Sequence, residues 1–255
     1  MSVLLLDTET TGLDFEKDRI IEIAVRVVSD DFKTDIAHYN HFVWDESYPE
    51  LSPEITKITG ITEELIKSVS FISPGDMVKG VESVIKAHAA RGIVAYNAEF
   101  DRNMLNAERS RQNGGVISVP YQWVCAMRDL ESNREYKCWK LSHLSLDRGI
   151  AVNPRDLHRA MDDVCLMQKM LIAAGATYTD LLAYRDVPDI IVCALVAHPR
   201  EARSEQERDI AKKAGYSWQQ VKNDPRVFEK RWVKKIKQTD LEKEKASCPL
   251  TIRVI

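Results

Sequence analysis

The sequence predicts an α/β sandwich built on a mixed five-stranded sheet, followed by a small α+β domain. Three observations lead there. The first 45 residues read as three strands joined by turns, helical and strand patterns alternate from about residue 74, and a fresh strand-rich pattern of about 65 residues begins after residue 189.

The elements follow in order. Val3 to Glu9 is an apolar run that reads as a strand, and "TTGLDFEKDR" has the turn residues of a loop. "IIEIAVRVVS" and "HYNHFVWD" read as the second and third strands, completing an antiparallel meander. Tyr48 to Thr62, with two prolines and "TGIT", reads as a loop with short helical pieces. Helices are expected over about Pro74–Ala90 and Ala98–Gln112, separated by the buried strand "GIVAYN", with "QWVCAM" as the fifth strand. "RDLHRAMDDVCLMQKMLIAAG" reads as an amphipathic helix stopped by Gly175. "YTDLLAYRDVPD" reads as a linker, giving a first domain over residues 1–178, a linker over 179–189 and a basic module over 190–255. In that module the expected order is strand (IIVCALVA), helix (SEQERDIAKKAG), two short strands around "YSWQQ" and "RWVKKIK", helix (DLEKEKA) and a final strand (LTIRVI).

Bulk properties narrow the class. The longest apolar stretch, Ile190 to Ala197, is far below the roughly 20 residues of a membrane span. The N-terminus lacks a basic segment followed by an apolar one, so a cytoplasmic protein is expected. The five cysteines are scattered without a C-x-x-C pair and read as reduced structural thiols. The net charge of -3 hides an asymmetry: residues 200–255 carry +6 and residues 1–199 carry -9.

The chemistry starts at "VLLLDTETTGLD". In a strand, Val3, Leu5, Asp7 and Glu9 share one face and Leu4, Leu6 and Thr8 the other, so two carboxylates point the same way. Such a pair repels unless a proton or a cation neutralises it. In "AYNAEFDRNML", Asn97 is a good helix N-cap, and Asp101 precedes Met104 and Leu105 at helical offsets and so faces inward. Asp163 likewise shares a stripe with Leu166, Met167, Met170 and Leu171, which Asp162 does less well. Four inward acids are too costly to leave unpaired, and divalent cations with oxygen ligands are their natural partner. His158 would sit about 140° from Asp163 on one continuous helix, so it reaches the same site only from a preceding loop. Pro154 and Asp156 make such a loop plausible, and a histidine there suits a general base for activating water.

"DTETTGLD", "YNAEFDRNML" and "HRAMDDV" resemble, in order, the three motifs of the DEDD exonuclease superfamily, histidine subtype. The resemblance covers about residues 1–178 and extends to the polymerase III epsilon subunit and exodeoxyribonuclease X. It implies an RNase H-like fold and 3′-to-5′ release of nucleoside monophosphates with two Mg2+ or Mn2+ ions. Asp7, Glu9, Asp101 and Asp163 match the metal-ligand positions and His158 the general base. It also implies that Thr11 and Leu13 wedge against the terminal base, that the Thr59–Thr62 loop with Ile61 packs near that base or its sugar, and that Phe100 and Asn97 hold the strand end. The chain departs from many relatives at Tyr96, where they have histidine, and at Thr59, where some do.

The basic tail interleaves Tyr216, Trp218, Phe228 and Trp232 with cations, a combination that holds single strands by stacking and phosphate contact. Lys212, Lys213, Arg231, Lys234 and Lys235 are candidate phosphate contacts, while the same aromatics also suit the core of a small domain. The expected function is a metal-dependent 3′-to-5′ exonuclease acting on single-stranded DNA ends, with a polymerase or repair partner engaged through the tail. The rivals are an exoribonuclease, which end-labelled RNA separates from it, and a non-catalytic adaptor, which loss of any of the five catalytic residues would have favoured.

Overall fold

A computed structural model describes residues 1–113, 122–130, 138–153, 158–197, 201, 203–221 and 229–255. The chain forms two compact units, Met1–Arg185 and Asp186–Ile255.

In the first unit, β1 (Ser2–Thr10), β2 (Ile20–Ser29) and β3 (Asp35–Val43) form an antiparallel meander. β1 and β2 are covered on both faces, which is why their apolar residues run almost continuously instead of alternating. Two short helices follow, α1 (Pro53–Thr59) and α2 (Glu63–Ser68). Each is opened by a hydroxyl that accepts a backbone N–H: Ser52 from Ile55, and Thr62 from Leu65. Gly60, at φ 69°, closes α1 in the left-handed conformation that glycine adopts without strain.

The chain continues through β4 (Phe71–Ile72), α3 (Pro74–Ala87), β5 (Gly92–Ala95), α4 (Ala98–Asn113), β6 (Gln122–Cys125), α5 (Leu141–Asp147), α6 (Ala160–Ala173) and α7 (Tyr178–Asp186). The strand order is β4-β3-β2-β1-β5-β6, with β4, β5 and β6 joining as parallel neighbours. The mixed sheet therefore has six strands instead of the five expected. The sixth, β4, is a two-residue edge strand, too short to show a period of two.

One face of the sheet, with Leu4, Leu6, Ile23 and Val25, packs against Met77 and Val81 of α3 and Met104 and Leu105 of α4. The other face, with Val3, Leu5, Ala24 and Val28, packs against Val164, Met167 and Met170 of α6 and Tyr178 and Leu181 of α7. The stretch expected as a linker is thus largely helix, because Tyr178, Leu181 and Tyr184 recur every three residues and are buried. The Pro154–Asp156 segment expected as the loop before α6 lies outside the described residues.

The second unit contains β7 (Asp189–Ala194), α8 (Ser204–Lys213), β8 (Ser217–Val221), β9 (Glu229–Lys237), a 3-10 turn at Gln238–Asp240, α9 (Leu241–Ser247) and β10 (Ile252–Val254). Its antiparallel sheet has the order β10-β7-β9-β8. Val192, Ala194, Trp232, Ile236 and Ile252 of the sheet form its core with Ala211 of α8 and Tyr216. Among the described residues no helix is long and apolar enough to cross a membrane.

Candidate active site

β1 brings Asp7 and Glu9 to its C-terminal end on the face covered by α6, and Asp163 lies in the first turn of that helix. One carboxylate oxygen from each of Asp7, Glu9 and Asp163 lies within 4.8 Å of the others. Asp162, its neighbour, points to solvent. Asp101, in the first turn of α4, is buried and approaches from the opposite face of β1, where it accepts a 2.8 Å hydrogen bond from Thr8 Oγ1. Thr8 is a site residue the sequence reading missed. It points away from Asp7 and Glu9 by strand alternation and is thereby aimed at the fourth acid.

The four carboxylates are crowded, with Asp101 buried and Asp7, Glu9 and Asp163 half-buried. Burial pushes Asp7 well above the ordinary carboxylate range, and the charges of Asp101, Asp163 and Glu9 push it further. Glu9 is raised to about 8, by burial first and then by Asp163, Glu22 and Asp101. Burial also raises Asp101 to about 7, against the pull of the Thr8 hydrogen bond. Asp163 is raised to about 6 by burial, offset in part by the His158 charge and backbone N–H. Oxygen donors in this number, held this close and reluctant to ionise without a counter-charge, fit hard divalent cations.

His158 is exposed, precedes α6 by two residues and adopts φ 64°. It therefore stands off the helix, as its offset from Asp163 requires. A fifth acid was not anticipated. Glu22 on β2, the cross-strand partner of Glu9, is 2% exposed and accepts hydrogen bonds from Arg159 Nη2 at 2.9 Å and Nε at 3.1 Å. The signal was present, since an acid inside "IIEIA" interrupts a strand that is otherwise apolar up to Arg26.

The expected substrate contacts divide. Leu13 is 83% exposed on the β1–β2 loop. That loop is held by Thr11 Oγ1 donating to Asp18 at 2.9 Å and accepting from the Arg19 N–H at 3.0 Å, and by Arg111 Nη2 donating to the Phe15 carbonyl at 2.6 Å. Asn97 is exposed at the start of α4, and Phe100 is half-buried against the α3–α4 layer. Ile61 is a correction. It is wholly buried among Trp44, Tyr48, Leu51 and Ile66, because Gly60 turns the chain so that Ile61 plugs the space beneath α1 and α2. Its side chain has no surface to offer a nucleotide.

In the second unit Lys234 is a second correction. Its ammonium donates to Glu244 at 2.8 Å and the Ala214 carbonyl at 3.0 Å, and Tyr216 OH donates to the same carboxylate at 2.8 Å, so the lysine is committed to its own fold. Lys235 is exposed but paired with Asp189 at 2.8 Å. Lys212 and Lys213 are exposed on the last turn of α8, and Arg231 is half-buried on β9.

The sequence model of the RNase_T exonuclease family matches residues 4–171. The chain belongs to that family and is a 3′-to-5′ exonuclease of the DEDD type, with an RNase H-like fold in its first unit. Members of the family depend on divalent metal. DNA polymerase III subunit epsilon of Treponema pallidum is 33% identical over 165 residues, covering 63% of this chain and 71% of that protein. A PolC-type DNA polymerase III of Thermotoga petrophila is 31% identical over 164 residues, which are 63% of this chain and 11% of that polymerase. Among solved structures, E. coli Exonuclease I in complex with a dA16 oligonucleotide superposes with a TM-score of 0.67 at 14% identity, over 98% of this chain and 68% of that one, so the two share a fold.

Proposed function

We propose that this enzyme removes nucleotides from the 3′ ends of single-stranded DNA as nucleoside monophosphates, using two divalent cations, Mg2+ or Mn2+. The observation that carries the reading is the clustering of Asp7, Glu9 and Asp163 within 4.8 Å, beside a buried Asp101 whose charge is felt at Asp7.

In this reading Asp7, Glu9, Asp101 and Asp163 are the metal ligands, and the ions supply the charge that activates water and stabilises the departing 3′ oxygen. His158, on its exposed turn, takes the proton of the attacking water. The hydrogen-bonded β1–β2 loop carries Thr11 and Leu13 to the terminal base, and Asn97 and Phe100 at the start of α4 hold the strand end. Lys212, Lys213, Arg231 and Lys235 remain the proposed phosphate contacts of the second unit. Relatives that are polymerase subunits support a replication or repair partner, and the scattered spacing of the five cysteines supports a cytoplasmic setting.

The test uses equal-sequence DNA and RNA labelled at either end, with Mg2+, with Mn2+ and with chelator, beside Asp163→Ala. Stepwise shortening of DNA from the 3′ end, abolished by chelator and by the substitution, is the expected result. Faster loss of RNA would make the enzyme an exoribonuclease, and digestion that survives Asp163→Ala would sink the metal-site assignment.

A further inference from the structure

Glu22 is a buried acid that the proposed chemistry leaves unused. Both of its oxygens are occupied: Oε1 by Arg159 Nη2 at 2.9 Å, and Oε2 by Arg159 Nε at 3.1 Å and the Ala160 N–H at 3.1 Å. The guanidinium also lies over the Phe42 ring, 5.2 Å from its centroid. A planar fork held on two oxygens and one aromatic face has a single orientation available to it.

Arg159 links three parts of the site. It follows His158, its side chain reaches β2 opposite Glu9, and its carbonyl accepts the Asp163 N–H at 3.0 Å at the opening of α6. His158 has φ 64°, a conformation that costs a non-glycine residue about 1–3 kcal/mol and persists only where the surroundings impose it. The Arg159–Glu22 clamp adjoins His158 on one side, and the His158 N–H bonds to Asp163 on the other.

We propose that Glu22 and Arg159 form a positioning pair that fixes the His158 backbone beside Asp163 of the acid cluster. The catalytic half of this statement rests on the reading of His158 as proton acceptor, and the backbone half does not.

The experiment compares Glu22→Gln, Arg159→Gln, the double variant and Arg159→Lys in the full chain, with circular dichroism to verify folding. Each single variant is expected to lower kcat about 10- to 100-fold, the scale of a misplacement near 1 Å, while KM and the Mn2+ dissociation constant from calorimetry stay within about twofold. The double variant is expected to be no worse than the poorer single one, because the two residues act as a unit. Arg159→Lys keeps the charge but loses the fork, and is expected to recover only part of the rate. NMR gives a readout independent of activity. The strong intraresidue Hα–HN cross-peak of a left-handed His158 is expected in the parent protein and absent in Arg159→Gln.

An unchanged kcat overturns the proposal, as does Mn2+ affinity falling in step with kcat, which would make Glu22 a ligand. Retention of the cross-peak in Arg159→Gln overturns the backbone half. A parent protein without nuclease activity overturns the exonuclease reading and the catalytic half with it, leaving the NMR result to decide the backbone half alone.

Discussion

Thr8 shows how much a single hydroxyl controls in a crowded acidic site. Its 2.8 Å bond is a donor aimed at the buried Asp101, and it favours the ionised form. Thr8→Val keeps the shape and removes the donor, so it should cost on the order of 1–3 kcal/mol in stability. It should also push Asp101 above about 7, so that protons compete better with metal. Calorimetry with Mn2+ should therefore show weakened affinity near neutral pH and a smaller difference at higher pH; equal affinity at both would remove Thr8 from the site. Leu13 gives the opposite case. An apolar side chain 83% exposed on a hydrogen-bonded loop contributes little to folding, so Leu13→Ala should leave the melting temperature unchanged and raise KM severalfold. An unchanged KM would mean that the side chain is idle. At this scale the sequence was legible where periodicity decides direction: period two aligned Asp7 with Glu9, and helical offsets chose Asp101 and Asp163. Glu22 and Thr8 escaped because their roles depend on what lies across the strand, and pairing register is not written in a single strand.

At the scale of elements, most were legible, including the short strands β5, β6, β8 and β10, and those missed were β4, α5 and the helix α7 in the stretch read as a linker. β1, β2, α3, α4 and α6 bury repeating apolar faces, whereas β4 has two residues and α5 seven, with Leu144 and Ser145 as its buried positions. The β1–β2 loop owes its order to α4. Arg111 donates to the Phe15 and Glu16 carbonyls at 2.6 and 3.1 Å and pairs at 3.1 Å with Glu108, which is 1% exposed. Arg111→Leu leaves that acid buried with the Ile20 N–H and the charge of Arg19 as its remaining support, so a stability loss of about 3–5 kcal/mol is expected in denaturant unfolding. In conditions where the variant is folded, KM should rise with little change in kcat, because the loosened element presents Leu13 and does not hold the acids. A fall in kcat at constant KM would count against this division of labour.

For the molecule as a whole, the site works against the fold that holds it. Glu9, Asp101 and Asp163 are raised to about 8, 7 and 6 in the folded protein, above the ordinary carboxylate range near 4. The folded state thus binds more protons than the unfolded chain between about pH 4 and pH 8, and stability falls with rising pH across that window. The contribution is fully present below the unfolded pKa values and is lost as pH passes the folded ones. Divalent ions replace the protons, so their stabilising effect should be larger near pH 8 than near pH 5, where protons already neutralise the site. Asp7→Asn removes the charge on which Asp101, Asp163 and Glu9 all press. Without metal it should melt several degrees above the parent near pH 8 and close to it near pH 5, at about 2–4 °C per kcal/mol for a chain of this size. Hydrolysis should be abolished in the same variant, and added Mg2+ should no longer raise its melting temperature as it does the parent's. Calorimetric scans of both proteins across pH 5–8, with and without Mg2+, decide the matter. Parallel curves would mean that the acids are solvated and unstrained, whereas convergence at low pH and separation at high pH would identify the electrostatic load that binding metal relieves.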